Sequence, residues 1–173
     1  SSEASNLQSL GISKLHIAAA HSKVSEIKSE ITNGTDINLR TKLGHTPLYY
    51  AAAYGSVKSL RFLLNARAKI DTRGKWGETA LHAAVASETD SNLKYLLRKG
   101  GIKMPKDKNG MTPLHFAAGF GNVKAIATLL NLGADANRPD KLGSAPIFYA
   151  NVFEQTEALR LFGSHEKSCE CKN

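Results

Sequence analysis

The sequence predicts an all-α fold, a solenoid of five helix-turn-helix units joined by short hairpin-like loops, and three observations carry that prediction. Gly11, Gly44, Gly77, Gly110 and Gly143 recur at intervals of 33 residues with no insertion between them. The stretches LHIAAA, TPLYYAAAYG, TALHAAVAS, TPLHFAAGFG and APIFYANVF begin at Leu15, Thr46, Thr79, Thr112 and Ala145, in the same register. In the clearest copy an apolar stripe at helical spacing follows, made of Val123, Ile126, Leu129 and Leu130. A fixed period of this length marks a repeat array, in which no unit can bury its own apolar face and stability comes from stacking on neighbours.

Residues 107–137 show one unit complete. Thr112 can cap an orphan backbone N–H, and Pro113 at the first helical position loses no needed donor. Gly121 ends this helix, while Ala117 and Ala118 keep it thin enough for another helix to approach. The second helix begins near Asn122 and stops at Gly133. The units then fall at 8–40, 41–73, 74–106, 107–139 and 140–172, after a polar tail at 1–7, and together make one domain. Hairpin-like loops are expected at 38–44, 71–77, 104–110 and 137–143.

Taken in order, the first unit has the polar second helix of an end cap, with Ser25, Glu26, Lys28, Ser29 and Glu30. Ser13 and Lys14 replace Thr-Pro there, which keeps a capping hydroxyl and loses the proline. The second unit carries Leu63 and Leu64 in its second helix, but Arg67-Ala68-Lys69 stands where the fourth has Gly133-Ala134-Asp135, so an irregular helix end is expected. In the third, Glu88 replaces the glycine of Gly55 and Gly121, and Thr89 or Asp90 is expected to cap a later-starting helix. Its tail, Gly100 to Pro105, departs from the pattern and predicts the weakest joint, with Asp90 weakening it further. The fifth unit keeps its first helix at 146–152 and reads as a C-terminal cap, although Val152, Phe153 and Phe162 are apolar for an exposed end.

The intact TPLxxAAxxG cores at Thr46 and Thr112, with a GAD-x-N tail at 133–137, resemble the ankyrin repeat family over nearly the whole chain. The resemblance implies that His16, His82 and His115, with Tyr49 at the same position in the second unit, serve structure by hydrogen-bonding neighbouring backbone. It also places the residues before each period glycine at hairpin tips and those before the helix-ending glycine on a concave face, the usual contact positions. The tips then carry a basic row, Lys42, Lys75, Lys108 and Lys141, and a mostly apolar row, Leu43, Trp76, Asn109 and Leu142. Tyr54, Phe120 and Phe153 form an aromatic row on the concave face. Flanking His45, Glu78 and Met111 complete the expected partner-binding set, in which large exposed apolar groups in register suit an interaction surface.

Composition sets limits. Hydrophobic residues make up 42% of the 173, enough for a continuous core, and the formal net charge of +8 favours an acidic partner. Cys169 and Cys171 are too close for an unstrained bridge, and such sparse cysteine reads as intracellular, cytoplasmic or nuclear. No apolar run approaches a membrane span, and the polar start SSEASNLQS lacks a secretory signal. The missing initiator methionine is what a piece of a longer protein would show.

No catalytic constellation emerges, so no enzyme activity is expected. His21, His45 and His165 have no regularly spaced carboxylate or cysteine to form a triad. Gly119-Phe120-Gly121 ends a helix instead of opening one after a strand, which excludes a nucleotide loop. His165, Cys169 and Cys171 give too few ligands for a closed zinc site, and neither metal nor cofactor is expected. The expected function is a monomeric, non-catalytic scaffold or adaptor that binds a protein with an acidic and apolar surface. The alternative is nucleic acid or a phosphorylated ligand held by the lysines, with Trp76 stacking on a base.

Overall fold

The computed structural model describes the backbone of residues 2–100 and 104–170 and the side chains of 6–100 and 104–164. Its helices are α1 (Ser2–Ser9), α2 (Lys14–Ala20), α3 (Val24–Thr32), α4 (Pro47–Tyr54), α5 (Val57–Asn65), α6 (Ala80–Ala84), α7 (Ser91–Gly100), α8 (Pro113–Phe120), α9 (Val123–Asn131), α10 (Pro146–Val152) and α11 (Thr156–Glu170). No strand occurs among the described residues. After α1, the helices pair as five antiparallel units. The first helices α2, α4, α6, α8 and α10 stack as one layer, and the second helices form the other.

The first layer is dense because its helices are thin on their facing sides: Ala18, Ala19, Ala51, Ala52, Ala83, Ala84, Ala117 and Ala118 are all buried. Leucines and isoleucines from the second layer, among them Ile27, Leu60, Leu63, Leu93, Ile126 and Leu129, complete a continuous core. Pro47, Pro113 and Pro146 open α4, α8 and α10 as expected. In the first unit only Ile27 of α3 is buried, which leaves that helix polar toward solvent.

Two helix ends differ from the sequence reading. The end of α5 is regular despite its missing glycine, because Arg67 itself takes the left-handed conformation at φ 69°, beside φ 90° at Gly34 and 83° at Gly133. The Ala68 N–H then reaches back to the Leu63 carbonyl at 2.9 Å, as the Ala134 N–H does to Leu129. Gly55 and Gly121 share a repeat position for different reasons. Gly121 is left-handed at φ 67°, whereas Gly55 is extended, and a Cβ there would stand 2.6 Å from the Ala19 carbonyl of the preceding unit.

The third unit is the irregular one. Its first helix, α6, has only five residues, and a bent segment leads to α7 at Ser91, the expected later start. Asp90 strengthens the junction instead of weakening it: its Oδ2 accepts from the Thr128 hydroxyl of α9 at 2.7 Å and pairs with Lys94 at 2.7 Å. These two donors hold its carboxyl below the usual range. Within the tail expected to be irregular, residues 101–103 lie outside the described residues.

Candidate functional site

Each loop between units is a tight two-armed turn closed by backbone bonds. The Asp107 N–H donates to the Met111 carbonyl at 2.9 Å, and the same pairing joins Thr41 to His45, Gly74 to Glu78 and Asp140 to Ser144. The turn needs a left-handed residue, supplied by Gly77 at φ 81° and its counterparts, and a Cβ on Gly77 would stand 2.9 Å from the Lys108 N of the next tip. Successive tips are therefore in direct contact. The N–H groups of Lys42, Lys75, Lys108 and Lys141 donate to the carbonyls of Leu10, Leu43, Trp76 and Asn109 at 2.7–3.0 Å. This ladder fixes the lysines in one row with their side chains exposed.

A second set of cations is spent tying the hairpins to one another. The Arg40 guanidinium donates to the Arg73 carbonyl at 2.6 Å, and Arg73 donates in turn to Gly77 and Lys106 carbonyls, each at 2.8 Å. The motif histidines clamp the layer from within. A backbone N–H can only donate, so the N–H groups of Ser13, Thr79 and Thr112 assign Nδ1 of His16, His82 and His115 as acceptor. Nε2 then carries the hydrogen and donates to the next unit: His82 to Met111 at 3.0 Å, His115 to Ser144 at 3.1 Å and His16 to His45 at 3.1 Å, with Leu39 of its own unit sharing the last. Burial pushes all three below the usual histidine range, against the smaller opposing pull of those carbonyls. The rings are neutral pins between units.

The surface left over is the candidate site. Trp76 is 56% exposed, with the Lys75 ammonium 5.4 Å from its ring centroid, and Leu142 is 88% exposed. Leu43, Tyr54, Phe120 and Phe153 are exposed large hydrophobics, and Asn109 is exposed beside them. The remaining three expected residues sit deeper. Met111 is half-buried, His45 stacks on Tyr49 at 3.8 Å, and Glu78 is buried. One Glu78 oxygen meets His45 Nε2 at 2.5 Å and the other accepts from the Trp76 N–H at 2.8 Å.

Glu78 takes over here one of the two hairpin N–H bonds that an aspartate accepts in each of the next two hairpins. Asp107 Oδ1 accepts from the Asn109 and Met111 N–H groups, and Asp140 Oδ1 from Leu142 and Ser144. The third unit has Gly74 at that position, and the Glu78 carboxylate fills the space a Gly74 side chain would occupy. The sequence signal was the paired exchange of Asp for Gly and of a neutral residue for Glu four residues apart. Sequence reasoning also passed over Tyr50, Phe116 and Tyr149, one residue beyond the motif histidine position. Each packs edge-on against the histidine of the preceding unit, at 5.3, 5.1 and 5.8 Å.

A family model described as ankyrin repeats in three copies matches residues 15–106 and 90–173. The chain belongs to the ankyrin repeat family. No curated protein matches it. Ankyrin repeats generally mediate protein–protein interaction and are typically non-enzymatic. Among the described residues no group of three or more His, Cys, Asp or Glu is placed to hold a metal ion, and no helix is long and apolar enough to cross a membrane. The side chains of His165 and Cys169, and Cys171 entirely, lie outside the described residues.

Proposed function

We propose that this ankyrin repeat chain is a non-catalytic intracellular scaffold that holds a protein partner along its concave face and hairpin tips. The observation that carries the reading is the alignment of an exposed lysine row with an exposed apolar row by one continuous backbone ladder. The proposed contact set is Lys42, Leu43, Tyr54, Lys75, Trp76, Lys108, Asn109, Phe120, Lys141, Leu142 and Phe153, with His45, Glu78 and Met111 shaping the hairpins from behind. The partner is acidic where it meets the lysines and apolar beside them. The charges accelerate encounter, and the apolar row sets residence time.

The test uses a partner recovered by affinity purification. Replacing Lys42, Lys75, Lys108 and Lys141 together by glutamine is expected to slow association and flatten its salt dependence while leaving dissociation nearly unchanged. Trp76→Ala is expected to weaken binding about 30-fold, the cost of a typical aromatic hot spot. Association as fast as wild type at low salt, with unchanged affinity in a folded Trp76 variant, would remove the reading.

A further inference from the structure

The row of aromatic side chains along the first-helix layer is interrupted at the third unit. In the second unit Tyr50 and Tyr54 stand together on α4, with ring centroids 6.3 Å apart. In the fourth, Phe116 and Phe120 stand together on α8 at 6.5 Å. Between them the third unit has Ala83 and Ser87 at the same two repeat positions, and α6 stops at Ala84. Packed helices are about 10 Å apart, so the two aromatic walls are about 20 Å apart at their backbones. An α-helix with its side chains is about 10–12 Å across, narrower than that separation.

The floor of this notch is fixed. Asn122 donates to the carbonyls of Val85 and Ser87 at 2.7 and 2.9 Å, and Asp90 is tied to Thr128, so the segment after α6 is bonded to the fourth unit. A seat held in place before binding loses less ordering entropy when it is filled. Its two ends differ in charge. Lys75 and Lys108 stand exposed at the tip end beside Trp76, and Glu88 stands exposed at the far end.

We propose that this notch seats a single amphipathic helix of the partner, running along α6 with its C-terminal end at the lysine tips. Apolar side chains of that helix meet Tyr54 on one side and Phe120 on the other. Its acidic last turns and the negative end of its dipole face Lys75 and Lys108, while its N-terminus faces Glu88. An extended peptide would leave the notch unfilled. The proposal rests on the concave-face reading above and adds the occupant, its position and its polarity.

The experiment selects binders on the full chain from a phage library of random peptides of about 20 residues, about 30 Å long when helical. The expected winners carry apolar residues at i, i+3 or i+4 and i+7, with Asp and Glu gathered in the C-terminal turns. As synthetic peptides they are expected to lose roughly 30-fold or more in affinity to Ser87→Phe, which fills the notch at a half-buried position. Lys75→Glu with Lys108→Glu, at exposed positions, is expected to weaken them as well, which guards against a misfolded Ser87 variant. Winners that ignore Ser87→Phe but are lost with Trp76→Ala overturn the notch and leave the broader reading standing; winners that ignore both overturn the two together. An absence of winners, winners without helical periodicity, or a single-stranded oligonucleotide that binds more tightly than any peptide also overturns the helical occupant.

Discussion

The junction between the second and third units and that between the third and fourth use the same parts in different proportions. Across the first, α4 packs closely on α6, and Asn92 donates to three carbonyls at the end of α4, those of Ala51, Ala52 and Gly55. Glu78 adds a buried tie to His45. Across the second, α6 packs on α8 much less closely than on α4, and a groove of about 840 Å³ opens over α5, α7 and α9, lined by Val57, Leu97, Arg98, Thr128 and Leu132 among others. Hydrogen bonds from His82, Asn122 and Thr128 span it. Polar ties fix geometry, but each contributes only about 0.5–1.5 kcal/mol net, so the junction with less helix-on-helix burial is the weaker one.

The two asparagines sharpen this contrast. Asn92 is 2% exposed, and Asn92→Ala would remove its three bonds to the carbonyls at the end of α4, a cost expected near the upper end of about 1–3 kcal/mol in urea denaturation. Asn122→Ala removes a helix cap and two bonds at a half-buried site and is expected to cost about 2 kcal/mol. A larger loss at Asn122 than at Asn92 would reverse the ranking of the junctions. Within the tighter junction, Glu78→Met is expected to cost about 2 kcal/mol by stranding His45 and the Trp76 N–H. Adding Gly74→Asp rebuilds the Asp107 and Met111 arrangement and is expected to recover part of that loss, whereas Gly74→Asp alone collides with Glu78.

Arg67→Gly is expected to stabilise the fold by about 1 kcal/mol, because arginine pays the left-handed penalty that glycine avoids. The histidine pins make stability depend on pH. In the folded chain His16, His82 and His115 titrate below the unfolded value of about 6.5, so below that pH the unfolded chain binds more protons. Stability is expected to fall as pH drops through about 6.5 and to level off once the folded histidines themselves protonate. His82→Gln in thermal melts at pH 7.5 and pH 5.5 is expected to reduce the pH-dependent loss.

The period was legible because the tip glycines answer two demands at once, a left-handed turn and contact with the next tip, and no other residue meets both. The helix starts were legible from Thr-Pro, and the neutral role of the histidines from their register. The sequence hid what depends on a neighbour's exact position. Glu78 read as a surface contact because only the folded hairpin shows it replacing an aspartate lost at Gly74. Asn92 stands one turn beyond the Asn122 position, so register alone did not connect their shared task. Asp90 looked misplaced in an apolar row until Thr128, 38 residues away, supplied its partner.

Native-state hydrogen exchange followed by mass spectrometry tests the difference between the junctions most directly. Opening at the third junction frees the fourth and fifth units together, so amides of α8 through α11 are expected to exchange as one group at a lower free energy than those of α2 through α5. Equal protection across both groups, or earlier exchange in α4 and α5, would contradict it.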